Sequence, residues 1–321
     1  MTEYAIDPEI VPWLEVLPSH PLRTYEDLLA ARPRISEIRA RMPVYEPSQP
    51  IDVRDELIPG AAGEPDVRVR IYAPPNTRGT RPGLVYIHGG GFVAGDVDMS
   101  DSACLKYADV LGIVVLSVDY RLAPETPFPG PVEDCYAALV WTAAKATELG
   151  IDPVRIGVAG GSAGGGLAAG TVLLARDRGG PAVVFQHLGV PELDDRLETE
   201  SMRTYVDTPM WSRPSAVFSW DSYLGEGKRG TAGVSPYAAP ARAADLSGLP
   251  STVVMVCQFD PLRDEGIEYA RRLSQANVPT ELRGYPGTFH GSGMVTDASV
   301  SKRMAVDELE DLRRGLRITS I

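Results

Sequence analysis

Histidine, lysine and cysteine are scarce in this chain, and each scarcity removes a class of chemistry. Of 321 residues, only four are His and three are Cys. The lysines are Lys106, Lys145, Lys228 and Lys302, and none adjoins the glycine-rich loops at 89–91 and 160–166. A phosphate-binding P-loop needs a lysine after its last glycine, so that reading is excluded. Cys104, Cys135 and Cys257 are far apart and odd in number. They read as free, mostly buried thiols in a reducing compartment, hence a cytoplasmic protein. There is no H-E-x-x-H and no cysteine pair, so no metal site is expected. Basic residues number 31 against 43 acidic ones, a net charge of −12. A polyanion partner needs a basic patch, so nucleic-acid binding is not expected. No stretch approaches the ~18 apolar residues that a membrane span requires. The opening MTEYAIDPEIVPWLEVLPS carries Glu3, Asp7 and Glu9 where a secretory signal would carry basic residues and an unbroken apolar core. Export by that route is not expected.

What is present has the rhythm of an α/β protein, with no internal repeat and no low-complexity linker. Residues 24–42 predict a helix broken or kinked at Pro33. Asp66–Tyr72 alternates, with Val67, Val69 and Ile71 on one face, and predicts a half-buried antiparallel strand near a sheet edge. Five short apolar runs follow: 83–88, 112–120, 155–160, 182–190 and 251–259. Such runs suit parallel strands buried on both faces. Helical stretches lie between them at 131–148, 163–177 and 264–277. In the first, Val132, Tyr136, Leu139, Val140 and Ala143 predict the packed stripe. Strand–helix alternation argues for a doubly wound or related α/β sheet. Residues 192–224 break the rhythm. They are too long for a crossover and rich in aromatics, and predict a helical insertion over one end of the sheet, joined there by the N-terminal stretch as a lid.

One serine sits in a bed of glycines. Gly160-Gly161-Ser162-Ala163-Gly164 follows an apolar run and precedes a helical one, which fits G-x-S-x-G on a strand–turn–helix. In that setting the serine is forced into a strained conformation with its hydroxyl above the sheet. A hydroxyl is a poor nucleophile until a base takes its proton. His20 precedes the sheet, His187 lies in an apolar strand as a satisfied core residue, and His88 precedes the serine. The order serine, acid, histidine selects His290. Of the acids between, Asp260 ends the run STVVMVCQF and leads. Asp264 and Glu265 compete, although both suit the first turn of the next helix. His88-Gly89-Gly90-Gly91-Phe92 offers exposed backbone N–H groups for an oxyanion, and the Ala163 amide adds one. Gly89-x-Gly91-x-x-Ala94, with Asp119 ending the next strand, also fits a relaxed dinucleotide fingerprint. FVAGDVDMSD is a poor start for the helix which that motif needs, so the dinucleotide reading is a distant second.

With HGGGF, GGSAGG, DPLRDEG and FHG in chain order, the sequence resembles the hormone-sensitive-lipase-like bacterial carboxylesterases of the α/β-hydrolase superfamily. DYRLAPETPFPGPVEDCYAAL (119–139), GIDPVRIGVAGGSAGG (150–165) and PELDDRLETES…FSWDSYLG (191–225) are similar too, so the likeness runs from about residue 65 to 295. It implies an α/β-hydrolase fold: a mostly parallel eight-stranded sheet flanked by helices, with a helical cap. The implied division is 1–45 for the N-terminal part of the cap, 46–190 and 226–321 for the catalytic core, and 191–225 for the cap insertion. It implies Ser162 as nucleophile, Asp260 as orienting acid and His290 as base. Gly90, Gly91 and Ala163 would supply the oxyanion hole, and His88, Arg121 and Glu125 would be structural. The expected reaction is hydrolysis of short- to medium-chain acyl esters of small molecules, without a cofactor. A homodimer is compatible with this. An amidase or lactonase would use the same residues, and a ligand receptor of the same fold would lack one of them. The family often carries an acid before the serine; here Gly161 stands there.

Overall fold

The structure is a computed structural model and describes residues 4–17, 21–41, 44–75 and 79–319. His20 lies outside the described residues. In chain order the elements begin with helix α1 (Tyr25–Arg41) and strands β1 (Asp52–Ile58), β2 (Val67–Ala73) and β3 (Arg81–Ile87). Then come α2 (Asp101–Leu111), β4 (Val114–Asp119), α3 (Gly130–Ala144), β5 (Ile151–Gly161) and α4 (Ala163–Asp177). The second half holds β6 (Phe185–Gly189), α5 (Glu200–Thr204), α6 (Arg213–Leu224), β7 (Ser251–Phe259), α7 (Arg263–Gln275), β8 (Thr280–Phe289) and α8 (Ser299–Gly315).

Among the described residues the strands form one eight-stranded sheet in the order β1-β2-β4-β3-β5-β6-β7-β8. β2 is antiparallel to both of its neighbours, and β4 through β8 run parallel to β3. Branched apolar residues explain the centre. VVLSVD of β4 is buried until its last residue, as a strand covered on both faces must be. β1, DVRDELI, is mostly exposed because it closes the sheet on one side. Leu167, Val172, Cys135, Ala138 and Tyr269, from α3, α4 and α7, share one core. Cys104 and Tyr107 of α2 pack with Leu312 of α8 and with Leu316 in a second core that also holds Tyr72 and Leu84. The three cysteines are free and buried.

Two local expectations change. The first helix is not broken at Pro33 but continues to Arg41; the proline is exposed, and the lost backbone donor costs least where water replaces its partner. In α3, Val132 and Leu139 are buried, Tyr136 and Ala143 are half-buried, and Val140 is 39% exposed. The packed face is turned toward Cys135, Ala138 and Thr142, small residues that admit α4.

The topology also places the site. From β3 the chain steps to β4 on one side, and β5 joins on the other side. At such a switch point the loops leaving the strand C-termini diverge and open a crevice. The loop after β3 begins at His88, and the turn after β5 holds Ser162.

Candidate active site

Ser162 has φ 59° and ψ −127°, a conformation that L-residues avoid. Packing holds it there. A Cβ on Gly164 would run into the carbonyl oxygens of Ile87 and His88, and one on Gly160 into the Gly164 backbone. Only glycine at both positions lets β5, α4 and β3 come this close. Gly161 differs: a Cβ there would meet nothing nearer than the Gly189 oxygen at 3.8 Å. A side chain before the serine is sterically allowed, so glycine is not required by the fold at that position.

His290 follows β8, and Asp260 follows β7. The chain around His290 is pinned: Ser292 Oγ accepts from the Phe289 amide at 2.7 Å, and the Ser301 hydroxyl donates to the Ser292 carbonyl at 2.8 Å. Nδ1 of His290 is 2.8 Å from Asp260 Oδ2, and Nε2 is 2.9 Å from Ser162 Oγ. A carboxylate only accepts, so the proton sits on Nδ1 and leaves Nε2 free to accept the serine hydrogen. Asp260 is fully buried, and its other oxygen accepts the Leu262 amide at 2.9 Å. The arrangement aims a base at a hydroxyl and fixes the base from behind.

The competing acids lie elsewhere. Asp264 accepts from the Ser201 amide and Arg263, and Glu265 accepts from the Leu193 amide at 2.6 Å. Both tie α7 to the 191–225 segment. His88 is buried, its Nδ1 lies 2.7 Å from the Gly89 oxygen, and its ring stacks on Tyr120 at 4.2 Å. Burial pushes its pKa down, and the Gly89 oxygen requires the proton on Nδ1. His187 is a core residue as expected, but it is not fully satisfied: its Nε2 has no hydrogen-bond partner among the described residues. Arg121 forks onto Asp134, and Glu125 is clamped by Arg32 of α1, which holds its carboxyl down to about 2. Asp119 accepts from Arg68. The same Arg32 donates twice to the Val93 oxygen, so the N-terminal helix grips the loop after β3.

That loop carries Gly90 and Gly91. Among the described residues neither glycine uses its amide in a backbone hydrogen bond. Ala163 opens α4, where an amide has no carbonyl one turn back. Trp211 lies over the site. A Cβ on Gly91 would sit 2.6 Å from the Trp211 ring, whose centroid is 5.8 Å from that of His290. Trp220 and Tyr223 are fully buried, with Tyr223 stacked on Phe92 at 4.2 Å. Phe218 lines a groove of about 880 Å³ beside Arg23 and Tyr25, away from the serine.

Two residues had no sequence signal. The Ser219 hydroxyl, on α6, lies 2.9 Å from the Gly91 oxygen and 3.1 Å from Glu192 Oε1. Glu192 is fully buried, its amide donates to the Ser162 carbonyl at 3.0 Å, and burial pushes its carboxyl up to about 8. A glutamate in VPELDD looks like an ordinary loop acid.

Comparison with known proteins shows the family. The profile of a family described as having the alpha/beta hydrolase fold matches residues 84–294. Esterase LipI of Mycobacterium tuberculosis is 39% identical over 293 residues, covering 89% of this chain and 88% of its own. Carboxylesterase NlhH of the same organism is 38% identical over 303 residues, 91% of each chain. The solved structure of a bacterial heroin esterase is 52% identical with a TM-score of 0.92, covering 98% of both chains. The chain belongs to the hormone-sensitive-lipase-like carboxylesterases of the α/β-hydrolase fold and is a carboxylic ester hydrolase.

Proposed function

We propose that Ser162 is the nucleophile, His290 the general base and Asp260 the acid that orients it. The observation that carries this is the unbroken contact from Asp260 through His290 to Ser162, at 2.8 and 2.9 Å. His290 takes the Ser162 proton as Oγ attacks the ester carbonyl. The amides of Gly90, Gly91 and Ala163 receive the developing oxyanion, at the positive end of α4. The imidazolium then protonates the departing alcohol. Water enters, gives its proton to His290, and cleaves the acyl-enzyme by the same steps in reverse. Asp260 stabilises the charged ring throughout.

Residues 1–45 and 191–225 act as a cap on a core formed by 46–190 and 226–321. The Arg32 grip on Val93 and the Ser219 contact with Gly91 support that division. Trp211, above the glycine loop, favours short- to medium-chain acyl groups. A series of p-nitrophenyl esters of rising chain length tests this, and a maximum at long chains overturns it. Three buried free cysteines support a cytoplasmic location. Among the described residues no helix is long and apolar enough to cross a membrane. A homodimer is an expectation that size-exclusion chromatography tests.

Ser162→Ala should lower turnover of a p-nitrophenyl ester by about a millionfold while circular dichroism stays unchanged. Retained turnover in that variant removes the nucleophile assignment.

A further inference from the structure

A proton count behind the glycine loop singles out Glu192. The Gly91 oxygen can only accept, and it lies 2.9 Å from Ser219 Oγ. Ser219 owns one hydroxyl hydrogen. If it donates to Gly91, the 3.1 Å contact between Ser219 Oγ and Glu192 Oε1 needs a hydrogen from the glutamate. An ionised Glu192 would leave two acceptors competing for one hydrogen. Its burial points the same way, because Oε2 has no partner among the described residues. A bare carboxylate there would be costly, whereas an unpaired carbonyl oxygen costs far less.

We propose that Glu192 is held as a neutral acid and is a positioning residue: it donates to Ser219, which donates to the Gly91 carbonyl and so fixes the loop whose amides receive the oxyanion. Its own amide meanwhile holds the Ser162 carbonyl. One residue thus ties the elbow, the loop and α6 together. Loss of the Glu192 proton turns the Ser219 hydrogen toward the carboxylate and releases Gly91. The titratable groups that feel this charge are Asp260 after β7, Glu265 on α7 and Tyr120 after β4. Each carries or gains negative charge on ionisation, so each favours the neutral form. Burial puts the loss of this proton near pH 8.

This inference rests on the proposed oxyanion hole. The test is the pH profile of kcat and KM for p-nitrophenyl acetate in the wild type, Glu192→Gln and Ser219→Ala. Gln keeps an N–H donor and cannot ionise. The wild type should show kcat falling with an apparent pKa near 8. Glu192→Gln should stay within a few-fold of wild type at neutral pH and lose that alkaline limb. Ser219→Ala should lower kcat about tenfold to a hundredfold, less than losing a whole donor, with KM little changed and the limb gone. The infrared spectrum at pH 7 should contain a protonated carboxyl band that Glu192→Gln lacks, which needs no activity. A wild type without the limb, an unaltered limb in either variant, or no such band overturns the inference. Ser162 labelled by a fluorophosphonate alongside one of those results sinks the inference alone; an unlabelled Ser162 sinks the reading beneath it.

Discussion

The site is built from two glycine turns, and apart from Glu192, which touches the elbow and reaches the loop through Ser219, they are held in place by different parts of the molecule. The elbow at 160–164 is fixed by the sheet: Gly164 is pressed against the Ile87 and His88 carbonyls, and the Ser162 amide donates to Gly189 at 2.8 Å. The loop at 88–95 is fixed largely from outside the sheet. Arg32 of α1 holds Val93, Ser219 of α6 holds Gly91, and the Trp211 ring covers it. The difference teaches where change is tolerated. The proposed nucleophile is pressed against strand ends, so moving it requires moving strands. The proposed oxyanion donors are held by α1 and α6, so changes in those helices can retune them and the space above them.

Substitutions can break this contrast, and the largest effect belongs to the elbow side. Asp260→Asn keeps the shape but favours the wrong His290 tautomer, and kcat should fall about ten-thousandfold. Steady-state kinetics check this; a loss of only a few-fold would detach Asp260 from the triad. Gly164→Ala places a methyl against two carbonyl oxygens and should cost about 1–3 kcal/mol of stability, read from urea unfolding. On the loop side, Glu192 is pushed up to about 8, so the folded chain binds that proton more tightly than the unfolded chain, where it titrates near 4.5. Its contribution to stability is full below about 4.5 and is lost as pH rises toward 8. Glu192→Gln lacks that loss, so its unfolding midpoint should gain on wild type between pH 5 and pH 8. Parallel midpoints would mean that Glu192 is not perturbed. The smallest effect is at Gly161, where an added methyl finds space. Gly161→Ala should change stability by no more than about 0.5 kcal/mol. A loss as large as that of Gly164→Ala would show that both elbow positions are equally packed.

The elbow was legible in the sequence, and much of what supports the loop was not. G-x-S-x-G between an apolar run and a helical one states its own geometry, because glycine is demanded by local backbone contacts. Asp260 was readable because it ends an apolar run, and His290 because the order serine, acid, histidine selects it. Strands β1 and β8 were harder: DVRDELI and TELRGYPGTF are edge strands, with charge, glycine and proline where a central strand has valine. Ser219 gave no warning, since one serine on a helix is ordinary. Its partner Gly91 is 128 residues away, and their meeting depends on how α6 lies over the loop. Trp211 is one of five aromatics in residues 192–224, which composition could not separate. Their ring contacts do: Tyr223 stacks on Phe92, while the Trp211 ring centroid lies 5.8 Å from that of His290.

Intact mass after exposure to a fluorophosphonate, followed by peptide mapping, tests the proton path most directly. An activated serine should take up one equivalent, on Ser162, and Ser162→Ala should take up none. Adduct on another residue, or no adduct on a chain that still turns over ester, would contradict the account.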